Sequence, residues 1–278
     1  MLRPVLISLT MLIDTHCHIF FPEYDADRAD VIARALDAGV EKMIVVGTDI
    51  PSSEKAIALA EAYPFIFATV GLHPHEAKTM DDTLLRALER LSSHPKVVAL
   101  GETGLDFYYN KSEEAVQKQA FSAQIALAKK RRLPLVIHIR DAWDAAFDIL
   151  EKEVTTSAED PDYFKEIGSV LHCFTGNKEI ADRATAMGIY ISFSGIVTFA
   201  KTAALKEAAA SLDPHFLLIE TDCPFLAPQG FRGKRNEPAF ISTTAKEVAA
   251  LRNISIENLA EITTANAERL FNVKARLA

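Results

Sequence analysis

His16 and His18 stand two residues apart at the end of an apolar run, Leu12-Ile13-Asp14-Thr15-His16. Residues i and i+2 of an extended strand share a face, so these two imidazoles converge on one point. That convergence is a strong signal for a divalent metal site. Comparable side chains end four further apolar runs. They are Glu102 in Gly101-Glu102-Thr103-Gly104-Leu105-Asp106, His138, His172, and Asp222 in Glu220-Thr221-Asp222-Cys223-Pro224. A lone histidine is more often a satisfied structural residue, and it is the repetition at strand ends that sets these apart. Four imidazoles and two carboxylates supply nitrogen and oxygen donors, which suit Zn²⁺, Mn²⁺ or Mg²⁺ rather than a soft-metal site. Six ligands exceed what one catalytic metal with an open position uses, so two divalent ions per chain are expected.

The elements that must position these residues alternate regularly. Short, Val- and Ile-rich runs occupy Met11–His16, Lys42–Val46, Phe65–Val70, Val97–Gly101, Leu135–His138, Ser169–His172, Ile189–Ser192 and Phe216–Glu220. Near-continuous apolar runs of this kind indicate strands covered on both faces, as in a parallel sheet. Helical patterns fall between and after them at Ala26–Ala38, Pro51–Ala62, Glu113–Arg132, Ala142–Lys152, Lys178–Met187, Thr202–Leu212, Ala239–Arg252 and Ile256–Leu270. Gly39, Pro64, Pro134 and Gly188 mark several of their ends. This is the arithmetic of a TIM-like (β/α)₈ barrel in a single α/β domain. A doubly wound open sheet with an appended helical piece is the rival. In an open sheet, strands one, four, five, six and eight do not all meet, whereas in a closed barrel their carboxyl ends ring one cavity. The ligand pattern therefore favours the barrel, with the site at that end.

Composition narrows the class further. Of the 278 residues, 49% are hydrophobic and 24% charged, which excludes a disordered or collagen-like chain. No run of 18 uncharged apolar residues predicts a membrane span. Three scattered cysteines make no disulfide framework and suit a reducing compartment. The formal charge of -8 argues mildly against a broad, non-specific nucleic-acid surface but allows a local basic site. Residues 1–11 resemble a weak signal peptide, but Pro4 comes early and no A-x-A cleavage site follows. They are read as an N-terminal extension ahead of a domain spanning 12–278, with Met11 the more natural first residue. Without an export signal, the cytoplasm is the expected location and a monomer the expected state. Residues 155–168, with Glu159-Asp160-Pro161-Asp162, read as a solvated insertion between units five and six.

Seven elements in order make the chain recognisable. To the strand-end motifs above are added Gly71-Leu72-His73-Pro74, Ile137-His138-x-Arg140-Asp141, His172-Cys173-Phe174-Thr175-Gly176 and Arg235-Asn236-Glu237-Pro238. Together they resemble the TatD-related hydrolases, metal-dependent deoxyribonucleases of the amidohydrolase superfamily, over residues 12 to about 273. The resemblance implies that His16, His18 and Asp222 bind one metal, that His138 and His172 bind the other, and that Glu102 bridges the two. Many amidohydrolases bridge with a carboxylated lysine; a glutamate here argues against a phosphotriesterase-like site. The implied activity is 3′–5′ exonuclease cleavage of DNA, single-stranded or at ends, by a water activated between two metals. Asp222 and Glu102 are the expected catalytic carboxylates, with Asp222 handling the water proton. The alternatives are a metal-dependent esterase or amidase, such as a D-aminoacyl-tRNA deacylase, or a non-catalytic metal-binding protein.

Substrate phosphate needs donors. His73 falls outside the six-ligand set and is expected to touch substrate. Arg140, two residues past His138, can hold two phosphate oxygens. Arg232 and Lys234 belong to the dense basic cluster Phe231-Arg232-Gly233-Lys234-Arg235. Phe107, Tyr108 and Tyr109 either stack on bases or pack the rim. Asp14 is expected to share the inward parity of His16, either supporting the ligands or bonding the backbone. Cys17, Cys173 and Cys223 read as small buried filler, His94 and His215 as surface or capping residues, and Trp143 as packing; Asp106 and Glu237 are read as ordering the loops.

Overall fold

The computed structural model describes residues 11–155 and 162–273. In chain order the elements are β1 (Leu12–Cys17), α1 (Arg28–Asp37), β2 (Val40–Val46), α2 (Ile50–Ala62), β3 (Ile66–Val70), α3 (Asp82–Leu91), β4 (Val97–Asp106) and α4 (Glu114–Arg131). There follow β5 (Leu135–Arg140), α5 (Trp143–Thr155), α6 (Tyr163–Glu166), β6 (Ser169–Leu171), α7 (Lys178–Ala186), β7 (Ile189–Phe193), α8 (Ala203–Ser211), β8 (Leu217–Ile219), α9 (Ile241–Leu251) and α10 (Ile256–Phe271). The strands lie side by side in sequence order, and every pair is parallel. The circle closes between β8 and β1 through a parallel bridge from Cys17 to Cys223 and the bonds His18 N to Cys223 O and Asp222 N to His16 O. The expected (β/α)₈ barrel is therefore the fold, and the open sheet is excluded.

Two apolar layers follow from strand alternation. Ile13, Ile44, Val46, Ala99, Val136, Val170 and Leu218 fill the barrel, which Ala267, Leu270 and Phe271 of α10 plug from below. The alternate strand residues, such as Leu12, Met43, Val45 and Ala68, pack under the surrounding helices. The apolar filling gives way toward the carboxyl ends of the strands, where the expected ligands lie.

Several expected boundaries move for local reasons. Strand β4 runs on past Gly101 to Asp106, pairing Thr103 to Asp106 with Ile137 to Arg140 of β5. Its glycines hide the strand from an apolar-run reading, yet they allow it. A Cβ on Gly104 would lie 2.0 Å from the His138 carbonyl oxygen, and φ there is +135°. Gly104→Ala is therefore expected to displace β5 and lower stability by about 2 kcal/mol or more, roughly 5 °C in a thermal melt. An unshifted melt would contradict the close approach. Helix α3 has no counterpart among the expected helices. Its signals are the Asp81 cap, which accepts from Leu84 N at 2.7 Å, and the Leu84–Leu88–Leu91 spacing. The insertion at 155–168 is not simply solvated. Its described part forms α6, which buries Tyr163 and Phe164; residues 156–161 lie outside the described residues, as do 1–10 of the expected extension. No described helix is long and apolar enough to cross a membrane.

Candidate functional site

A bulge in β1 aims the first ligands. Asp14 pairs with Met43 and Cys17 with Val45, so three steps on β1 match two on β2. Thr15 already faces the interior, because its hydroxyl lies 3.1 Å from that of Ser192 on β7, past the intervening β8. The extra residue brings His16 inward as well, and His18 follows. Asp14 does not share that parity: its partner Met43 lies in the barrel–helix layer. Its carboxyl accepts from Thr221 N at 3.0 Å, Thr221 Oγ1 at 2.6 Å and His16 N at 3.3 Å. Burial pushes Asp14 up to about 7 against those bonds. It ties β1 to the chain that carries Asp222 rather than meeting the imidazoles.

The six expected ligands come together around Glu102. Its Oε2 lies 3.4 Å from His16 Nε2 and 3.7 Å from His18 Nε2. Its Oε1 lies 2.9 Å from His172 Nε2, 3.1 Å from His138 Nδ1 and 3.3 Å from His73 Nε2. Asp222 Oδ1 closes the first side, at 3.7 Å from His16 Nε2 and 3.5 Å from His18 Nε2. One carboxylate thus divides the imidazoles into two sets. His18 Nδ1 donates to Val46 O at 2.8 Å, which leaves the neutral ring's Nε2 bare toward the cluster. Asp222 sits at φ +55° and Cys173 at φ +45°, so the chain turns sharply just past the ends of β8 and β6.

Burial works to raise the carboxyl of Glu102, but the imidazoles of His172, His73, His138 and His16 outweigh it and hold it well below its ordinary value. Asp222 is likewise held down against burial by His18, His16 and His172. Burial lowers His73 to about 4, which leaves it neutral near pH 7. Burial also lowers His16, with His172 adding to the effect. Among the described residues, every ion-pair partner of Glu102 and Asp222 is an imidazole. Buried His16 Nδ1, His172 Nδ1 and Glu220 Oε2 have no hydrogen-bond partner among the described residues. Close-packed nitrogen and oxygen donors with ionised carboxylates and no Lys or Arg to neutralise them fit divalent cations. Three groupings bring donor atoms within 4.8 Å of one another: His16–His172–Asp222, His16–His18–Glu102 and His73–Glu102–His138.

Other residues fall in varied places. His73, expected to meet substrate, borders the cluster itself. Arg140 lies over the rings of Tyr108 at 4.0 Å and Tyr109 at 4.6 Å and has no ion pair among the described residues. Arg232 and Lys234 are exposed, over Phe199 and Phe231 respectively, whereas Arg235 is held by Asp27 at 2.7 Å. Glu237 pairs with Arg34 at 2.6 Å and so ties its loop to α1. Asp106 accepts from Tyr109 N at 2.9 Å, which orders that turn, and it also lies 2.8 Å from His75 Nε2 and 3.3 Å from His138 Nε2. Two residues in this group carry no assignment from sequence. His75 is one; the other is Glu220, which accepts from Cys173 N at 2.6 Å and lies 3.5 Å from His172 Nδ1. The signal for Glu220 is a carboxylate two residues before Asp222. Cys17 and Cys223 are buried filler as expected, but Cys173 is only half-buried. Trp143 packs on Phe174 at 5.5 Å. His94 lies by Glu61, away from the cluster.

Comparison with known proteins decides the family. A family model described as TatD related DNase matches residues 13–272. The chain belongs to the TatD family. An uncharacterized metal-dependent hydrolase of Bacillus subtilis, YabD, is 44% identical over 263 residues, covering 95% of this chain and all of that one. The 3′-5′ ssDNA/RNA exonuclease TatD of Salmonella typhimurium is 35% identical, covering 94% of this chain and 99% of its own. The crystal structure of YJJV, a TatD homolog from Escherichia coli K12, superposes with a TM-score of 0.86 at 31% identity, covering 95% of this chain and 98% of its own. The TatD barrel described above is thus that of a metal-dependent hydrolase.

Proposed function

We propose that the protein is a two-metal phosphodiesterase that shortens single-stranded DNA from its 3′ end. The observation that carries this reading is the split of Glu102, one oxygen toward His16 and His18 and the other toward His138 and His172. In this reading His16, His18 and Asp222 hold one divalent ion, His138 and His172 hold the second, and Glu102 serves both. When bound, such a pair lowers the pKa of water and offsets charge on a phosphoryl oxygen. The relatives named as exonucleases support the substrate class.

The protein's own residues handle the proton and the phosphate. The imidazole contacts of Asp222 run to Oδ1, and its side chain keeps 12% of its surface open where that of His16 keeps none. Held ionised, Asp222 takes the proton of the attacking water and returns it to the leaving 3′ oxygen. His73, neutral beside Glu102, and Arg140, without an ion pair among the described residues, hold the non-bridging oxygens. His73→Ala is expected to raise KM with the bound metal unchanged; loss of metal in that variant would make His73 a ligand instead. Arg232→Ala with Lys234→Ala is expected to flatten the salt dependence of KM by roughly one unit of log–log slope for each substrate phosphate the loop no longer neutralises. An unchanged slope would remove this loop from the substrate path.

The direct test restores Mg²⁺, Mn²⁺ or Zn²⁺ to metal-stripped protein with end-labelled single-stranded DNA. Metal-dependent shortening from the 3′ end is expected. No shortening under any metal, with turnover of an aminoacyl ester, would move the substrate to the esterase class.

A further inference from the structure

Single exposed apolar side chains are ordinary on a protein surface, but several gathered around one site mark a place of interaction. Of the five large apolar side chains exposed among the described residues, Tyr108 at 57%, Tyr109 at 53% and Phe225 at 50% all stand at the mouth of this barrel. Their placement is ordered. Tyr109 meets Tyr108 at 4.9 Å and His75 at 5.4 Å. From His75 the rings of the cluster touch in unbroken succession to His18, each centroid within 5.4 Å of the next. Phe21 stacks on His18 at 5.1 Å and meets Phe225 at 5.8 Å. The exposed aromatics therefore flank the imidazoles, the tyrosines on the His138 side and Phe225 on the His18 side.

Both flanks are braced. The Arg140 guanidinium lies over both tyrosine rings, and Asp106 fixes the backbone of Tyr109. The carbonyl of Phe225 accepts from buried Asn236 Nδ2 at 2.6 Å, and its amide donates to Asp222 O at 3.0 Å. A substrate phosphate over Glu102 would have a flat ring on either side of it. Flat apolar rings recognise unpaired bases without regard to sequence. Resting on the phosphodiesterase reading above, we propose that Tyr108–Tyr109 and Phe225 are two base-stacking platforms, one on each side of the scissile phosphate. The preferred substrate is then a single strand with an unpaired base on both sides of the bond. A duplex end, whose bases are already stacked and paired, meets the platforms poorly.

The test is a cycle between enzyme and substrate. The wild-type holoenzyme is given a single-stranded oligonucleotide, the same strand lacking the base on either side of the scissile bond, and the matching blunt duplex. Removing a base is expected to raise KM about tenfold, with kcat changing far less. Phe225→Leu keeps apolar bulk without a ring, and Phe225→Ala removes both; each is checked by thermal melt. In both, KM for the intact strand rises, and the penalty for losing one of the two bases disappears. Tyr108→Ala does the same for the other base. Equal turnover of intact and base-free strands by the wild type would overturn the platforms while leaving the phosphodiesterase reading standing. No turnover of any oligonucleotide would overturn that reading, and the platforms with it.

Discussion

Asp222→Asn is expected to leave the barrel folded and to lower kcat on single-stranded DNA by about 10³-fold. The substitution is chosen for its geometry. Asp222 sits at φ +55°, a region that Asn tolerates and Ala does not. Asn also keeps the shape and one oxygen toward His16 and His18 while losing the charge and the ability to take a proton. The fall should therefore appear in kcat more than in KM, with a melting curve close to that of the wild type. Turnover near the wild-type rate would show that another group manages the proton, and His73 would be the next to examine.

Glu102→Gln has the second large effect, on the metal first and turnover second. A glutamine fills the same space, but its amide NH₂ cannot bind a cation, so one of the two donor sets loses its shared oxygen. Bound metal should fall from two ions per chain to one or fewer, measured by elemental analysis after dialysis. The thermal shift that added metal gives the wild type should shrink with it. Saturation at about a thousand times Kd contributes about 4 kcal/mol, close to 10 °C for a chain of this length. Activity should fall by more than about 10³-fold. A glutamine variant that kept two ions and the full thermal shift would deny Glu102 its bridging place.

The sequence is most legible where one physical pattern acts alone. Strands covered on both faces read as Val- and Ile-rich runs, and eight of them, five with ligands at their ends, imply closure. Where a second constraint cuts across the pattern, the reading slips. The bulge in β1 breaks strict alternation, so counting by two places Asp14 with His16 when it faces the other way. The glycines of β4 let its backbone press against β5, and the strand outlasts its apolar run. Helix α3 escapes the reading although its cap and leucine spacing are local. Tyr163 and Phe164 look like part of a polar insertion until the packing of α6 is seen. Phe225 is the clearest long-range case. Its place beside Phe21 depends on the meeting of the two ends of the barrel sheet, which no local spacing states.

The central claim, a site divided by Glu102 between two metals, is tested most directly by anomalous diffraction from crystals soaked in Mn²⁺. The account predicts two peaks about 3.5–4 Å apart, one beside His16, His18 and Asp222 and the other beside His138 and His172, with a Glu102 oxygen on each. A single peak at saturating Mn²⁺, or two peaks that Glu102 does not touch, would contradict it.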